Sequence, residues 1–177
     1  MDLELTGRVA IVTGGSKGIG KAIAYQLAME GVDVAICART FETLKETANL
    51  LTKQTGRRII PIPVDTTKND QVENMVKTTL AELGRIDILV NNAAVVGGQV
   101  QGTLEQAQEQ DLIEDLDTKV VGYFRCIKAV APHMQSQKWG RVINIASLQS
   151  YRAFPNGLAY GASKGGIAQV TRGMAEA

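Results

Sequence analysis

Three side chains in the last third of this chain could move a proton between them: Ser147, Tyr160 and Lys164. Tyr160 and Lys164 are four residues apart, so on a helix they share one face. An isolated tyrosine is a poor acid at neutral pH, with an unperturbed pKa of about 10. A nearby ammonium group stabilises the phenolate and lowers that value. Such a pair can give a proton to a carbonyl oxygen as hydride arrives at its carbon, or take one in the reverse direction. A serine hydroxyl can hold the same oxygen. Alone, a Tyr-x-x-x-Lys pair is more often a solvated helix face. Its weight here comes from the elements that position it.

Those elements alternate. Val9–Val12 is a short apolar run suited to a strand buried on both faces. Thr13 to Gly20 (TGGSKGIG) supplies a glycine-rich turn, and a helical pattern continues to Glu30, closed by Gly31. Strand, glycine turn and helix together form an anion site, because helix N-terminal N–H groups and the helix dipole favour a phosphate. Gly14, Gly18 and Gly20 allow the turn and the approach of a pyrophosphate to the backbone. A tight turn with no ligand is the alternative. Further strands are expected at Asp33–Ala38, Ile59–Val64, Ile86–Asn91 and Arg141–Ala146. Pro61 argues for an edge position or an irregular pairing of the third. Helices are expected over Phe41–Gln54 with Thr40 as N-cap, and from a Thr67/Asp70 capping-box variant to Leu83. An uncharged loop, Val95–Gly102, precedes a long helical stretch from Leu104 to Gln137, broken near Gln110. Its apolar residues Leu112, Leu116, Val120, Phe124, Ile127, Ala131 and Met134 step by three or four. A last helix runs from Leu158 to the chain end. This order implies an α/β fold: a doubly wound, mostly parallel sheet between two helix layers, in one dinucleotide-binding domain over residues 1–177.

Ligands in such sheets bind beyond the carboxyl ends of the strands. Arg39 follows the second strand, where an acid would accept from a ribose 2′-hydroxyl and a cation favours a 2′-phosphate. The preceding residue is Ala38, and Lys17 adds a second cation in the glycine loop, so NADP(H) is expected over NAD(H). Two solvated surface cations are the plainer reading. Asp65, ending the third strand, could accept from an adenine amino group or cap a turn. Asn91 and Asn92 end the fourth strand, with Ala93 and Ala94 after them; small residues there permit close approach of a ligand, or make a plain turn.

Composition narrows the function classes. With 45% hydrophobic and 21% charged residues the chain is expected to fold rather than stay disordered. A net charge of +1 and no basic block give nucleic-acid binding no support. No apolar run approaches the ~20 residues of a membrane span, and the N-terminus MDLELTGR is not a signal peptide, so a cytoplasmic location is expected. The two cysteines, Cys37 and Cys126, lie in apolar patterns and read as core residues. The single histidine, His133, rules out a site needing two, and no metal is expected.

The ordered motifs Thr13–Gly20, Asn91-Asn92-Ala93-Ala94 and Ser147 followed thirteen residues later by Tyr160-Gly161-Ala162-Ser163-Lys164 resemble the short-chain dehydrogenase/reductases. The likeness covers essentially the whole chain and is strongest to the branch containing 3-oxoacyl-carrier-protein reductases. It implies a Rossmann fold and NADP(H)-dependent interconversion of a carbonyl compound and a secondary alcohol. By that resemblance Tyr160 is the general acid/base, Lys164 tunes it and binds the nicotinamide ribose, and Ser147 orients the substrate carbonyl. Gly14, Ser16, Lys17, Gly18, Ile19, Gly20 and Arg39 contact the cofactor, Asp65 and Thr66 meet the adenine, and Asn92 and Ala93 line the site. A homo-oligomer, dimer or tetramer, is implied through the long helix and the last helix. Two departures stand out. The family's usual asparagine in the long helix, which helps hold a proton-relaying water, is Lys119 here. Family members are also longer, so the chain is expected to be truncated, with the last strands missing and with weak cofactor binding and little turnover in isolation. The rival reading is a non-catalytic nucleotide-binding or assembly module, or an inactive fragment.

Overall fold

The computed structural model describes residues 3–94 and 104–176. The expected loop Val95–Gly102 lies outside the described residues. The strands are β1 (Val9–Thr13), β2 (Asp33–Ala38), β3 (Ile59–Pro63), β4 (Ile88–Asn91) and β5 (Arg141–Asn144). The helices are α1 (Gly18–Met29), α2 (Phe41–Thr55), α3 (Asn69–Leu83), α4 (Glu109–Asp115), α5 (Gly122–Ser136) and α6 (Leu158–Ala175). A π-helical stretch, Leu116–Val121, joins α4 to α5. The sheet is five-stranded in the order β3-β2-β1-β4-β5, and every pairing is parallel.

Alternation along the strands builds a core on each face. Ile11, Ala35 and Leu89 turn toward Met75 and Val76 of α3 and Cys126 and Val130 of α5. Ala10, Val12, Val34, Ile36 and Val90 turn the other way, toward Ala24 and Ala28 of α1 and Leu44 and Ala48 of α2. Because β1 is buried on both faces, all five of its residues are apolar or small. β3 is an edge strand as Pro61 predicts. β5 is the other edge, and its Val142 and Ile143 are exposed. At the amino ends of the strands, the buried Asp87 carboxylate accepts from Arg8, Arg85 and the Val9 N–H, fixing β1 to β4.

The structure corrects several local expectations. Thr40 occupies the N-cap of α2 but its side chain makes no capping bond. The capping box at Thr67/Asp70 does not form: Lys68 is the N-cap, and the Thr67 hydroxyl donates to Asp65 instead. The helix expected from Leu104 begins only at Glu109. The apolar row along it is also not one face, since Leu112 and Phe124 are exposed while Ile127 and Met134 are buried. A π turn carries more residues per turn, so it rotates the faces of α5 relative to those of α4. The buried row is Asp115, Lys119, Tyr123 and Cys126, two of them charged. Both cysteines are free and buried. No helix among the described residues is long and apolar enough to cross a membrane.

Candidate active site and cofactor cleft

Strand order reverses between β1 and β4, and a cleft of about 830 Å³ opens there at the carboxyl ends of the strands. Its walls contain most of the sequence-predicted cofactor residues: Gly14, Ser16, Lys17, Gly18, Ile19, Arg39, Asp65, Thr66, Asn92 and Ala93. Gly20 is not in the wall. It is buried beneath the loop, where a Cβ would collide with the Gly14 carbonyl, so it packs α1 against the turn. Gly14 has φ +67°, and a Cβ there would lie 2.7 Å from Asn92 Nδ2. Only glycine fits that conformation and that approach.

A latch between β1 and β4 holds the turn. Thr13 Oγ1 accepts from the backbone N–H of Asn92 at 3.0 Å and of Ala93 at 3.1 Å. Asn92 Nδ2 donates to the carbonyls of Thr13 and Gly14 at 3.1 and 3.3 Å. Thr47 of α2 donates to the Ser16 carbonyl at 2.9 Å from the other side. Asn92 therefore shapes the loop as well as lining the cleft. The α1 N-terminus has no side-chain cap and no acidic residue in its first turn, which suits an incoming anion. Lys17 and Arg39 are exposed at the rim. Asp65 Oδ1 accepts from the N–H and hydroxyl of Thr67, so it caps the turn. Burial raises the Asp65 carboxyl, but those two hydrogen bonds and the charges of Arg39 and Lys68 outweigh it and hold it below the ordinary carboxylate value.

Among the described residues, the cleft walls do not include Ser147, Tyr160 or Lys164. These form a second cluster where β5 ends against α6. The Lys164 ammonium is buried and donates to the Ile145 carbonyl at 2.5 Å. It lies 5.7 Å from the centre of the Tyr160 ring. Ser150 donates to the Lys164 carbonyl at 2.9 Å and so draws the Ser147–Ser150 turn onto α6. Ser147 caps that turn by accepting from the Gln149 N–H at 3.2 Å. A hydroxyl has one hydrogen to donate besides its acceptor pairs, so this bond orients Ser147 and leaves the hydrogen for another oxygen. Burial, then the neighbouring Lys119, push the Lys164 ammonium down to about 8, against a smaller opposing effect of Asp115.

The α4–π segment stands between the two clusters. Glu114, Asp117 and Thr118 line the cleft, while Asp115 and Lys119 are buried toward α6. Lys119 Nζ is 2.5 Å from Asp115 Oδ1. Sequence reasoning singled out Lys119 but missed Asp115; their i, i+4 spacing of opposite charges was the available signal. The latch function of Thr13 was missed as well, because hydrogen bonding across β1 and β4 leaves no local trace.

A parallel sheet with a glycine turn at its switch point is the architecture of a dinucleotide-binding α/β protein, and the Tyr/Lys pair of α6 sits beside the end of its fifth strand. The chain belongs to the short-chain dehydrogenase family, whose model matches it over residues 8–177. It is 37% identical over 168 residues to 2-(R)-hydroxypropyl-CoM dehydrogenase of Xanthobacter autotrophicus, covering 95% of this chain and 67% of that protein. It is 35% identical over 172 residues to a 3-oxoacyl-[acyl-carrier-protein] reductase of Synechocystis, covering 97% of this chain and 68% of that one. The structure of L-sorbose reductase from Gluconobacter frateurii, complexed with NADPH and L-sorbose, superposes with a TM-score of 0.93 at 28% identity, covering 99% of this chain and 66% of that one. The chain thus spans about two thirds of the length of the proteins it matches. The family's members are oxidoreductases that use nicotinamide cofactors on carbonyl and alcohol substrates.

Proposed function

We propose that this protein interconverts a carbonyl compound and a secondary alcohol using NADP(H), with Tyr160 as general acid/base. The observation that carries the reading is the buried Lys164 ammonium set 5.7 Å from the Tyr160 ring at the end of β5. The glycine turn and the α1 N-terminus would hold the pyrophosphate, and Arg39 with Lys17 would hold a 2′-phosphate. Thr66 and the capped Asp65 would meet the adenine, while Asn92 and Ala93 would line the path toward the second cluster. When bound, the cofactor supplies or accepts the hydride. Tyr160 gives a proton to the carbonyl oxygen in reduction and removes it in oxidation. Lys164, anchored on Ile145, favours the phenolate and is placed to meet the ribose. Ser147, oriented by its capping bond, donates its hydrogen to the substrate oxygen.

The preference for NADP(H) is supported by Ala38-Arg39 at the ribose position and by the NADPH in the L-sorbose reductase structure. Val121 and Phe124 are exposed on the segment running into α5, which supports a homo-oligomer packed through that face. The test is ketone-dependent oxidation of NADPH by the full-length protein. Tyr160→Phe is expected to abolish it while NADPH binding persists; turnover unchanged by that substitution would refute the assignment.

A further inference from the structure

Asp115 and Lys119 are a buried ion pair that the proton transfer just described does not use. Both are about 1% exposed. Lys119 Nζ contacts Asp115 Oδ1 at 2.5 Å and has no hydrogen-bond partner beyond that ion contact among the described residues. It lies 4.8 Å from the centre of the Tyr160 ring, nearer than Lys164. Ser163 Oγ, fully buried, is 2.9 Å from the Tyr160 carbonyl and 3.4 Å from Asp115 Oδ2, so it ties the carboxylate to the helix that bears Tyr160. Gly166 lets the π stretch approach α6, since a Cβ there would lie 2.9 Å from Val120 Cγ2.

We infer that Lys119, tethered by Asp115, is a positioning residue of the acid/base site: a second ammonium group held against the Tyr160 ring beside that of Lys164. The inference rests on the function proposed above. A buried ion pair is expensive to assemble and is weak evidence for stability. Its placement is what gives it a role. The charged and titratable groups facing Lys164 are Lys119 and Asp115 from the α4–π segment and Tyr160 from its own helix. Tyr123, from α5, faces Tyr160 with its hydroxyl buried and without a hydrogen-bond partner among the described residues. From the β5 side, among the described residues, Lys164 donates to the neutral Ile145 carbonyl. Lys119 therefore acts on Lys164 as a like charge and makes its proton easier to lose, and Asp115 opposes that effect.

The test titrates the lysines of the chain by NMR of 13C-labelled Cε groups, with circular dichroism confirming the fold. In the parent chain the Lys164 midpoint is expected near 8, held down first by burial and then by Lys119. In Lys119→Met its midpoint rises by on the order of one pH unit, the effect of removing a like charge. In Asp115→Asn the two ammonium groups lose their counter-ion, and the first proton leaves the pair at lower pH than in the parent. A purely structural role would instead send lysine midpoints in Asp115→Asn up toward the ordinary ~10.4, the opposite direction. The double variant Asp115→Leu/Lys119→Met replaces the pair with apolar groups and so guards against loss of folding. In it, Lys164 moves above 8 yet stays below the ordinary value because it remains buried. A folded double variant with Lys164 still at its parent midpoint overturns the inference. If these midpoints shift as expected while Tyr160→Phe leaves ketone reduction intact, the functional reading fails and the Lys119–Asp115 clamp stands. If Tyr160→Phe abolishes reduction and the midpoints do not move, the clamp alone fails.

Discussion

Thr13→Val tests whether the cofactor cleft is shaped by a hydrogen-bonded latch rather than by the glycines alone. Valine has nearly the volume of threonine, so the substitution opens no cavity and removes only the hydroxyl. Thr13 is 1% exposed, and Oγ1 is the acceptor for the N–H groups of both Asn92 and Ala93. Leaving a buried donor unsatisfied costs about 1–3 kcal/mol. Both residues are half-buried, so each N–H falls toward the low end of that range and the pair should cost ~2–4 kcal/mol. Thr13→Ser keeps the hydroxyl and loses one methyl, worth about 0.8 kcal/mol. Urea unfolding monitored by circular dichroism separates the two. With an m-value of about 2 kcal/mol/M, valine should lower the midpoint by ~1–2 M and serine by less than about 0.5 M. NADPH titration should show weaker binding for valine, because Asn92 also positions the Gly14 carbonyl. Equal midpoints for the valine and serine variants would show that Oγ1 does not hold the turn.

Replacing Arg39 with glutamate should weaken NADPH binding by on the order of tenfold or more, about 1.4 kcal/mol or above, and favour NADH; equal NADPH affinity in fluorescence titration would contradict the assigned 2′-phosphate contact. Lys164 supplies a pH prediction. Its folded value of about 8 lies below the unfolded ~10.4, so between those values the unfolded chain binds more protons and stability rises with pH. The difference in urea midpoint between the native chain and Lys164→Met should therefore grow in favour of the native chain from pH 8 to about 10, and a flat difference would contradict a buried, destabilised ammonium.

Most of the fold was legible because its signals are local. Apolar runs such as Val9–Val12, the glycine stops Gly56 and Gly84 in the left-handed region, and Pro61 at the sheet edge each act within a few residues. What was illegible depends on distant partners. Strand β5 ends at Asn144 rather than Ala146, and the Ile145 carbonyl beyond it takes the Lys164 ammonium from α6. Thr67 is diverted from capping α3 by Asp65. The π stretch hides in a continuous helical periodicity, and it turns the face of α4 that bears Leu112 away from the row of α5 that buries Ile127 and Met134. The site shows the same division. The glycine turn and the Tyr160–Lys164 spacing stand out in the chain, whereas the Thr13 latch and the tether of Asp115 to Ser163 exist only once β1, β4, α4 and α6 are assembled.

The central claim is hydride transfer assisted by Tyr160, and deuterium tracing tests it most directly. The full-length protein would be incubated with a ketone and NADPH carrying deuterium at both nicotinamide C4 positions, and the alcohol analysed by mass spectrometry and NMR. The account predicts one deuterium on the carbinol carbon of the product, and no labelled alcohol from Tyr160→Phe. Label transfer undiminished in Tyr160→Phe, or alcohol formed without deuterium at that carbon, would contradict it.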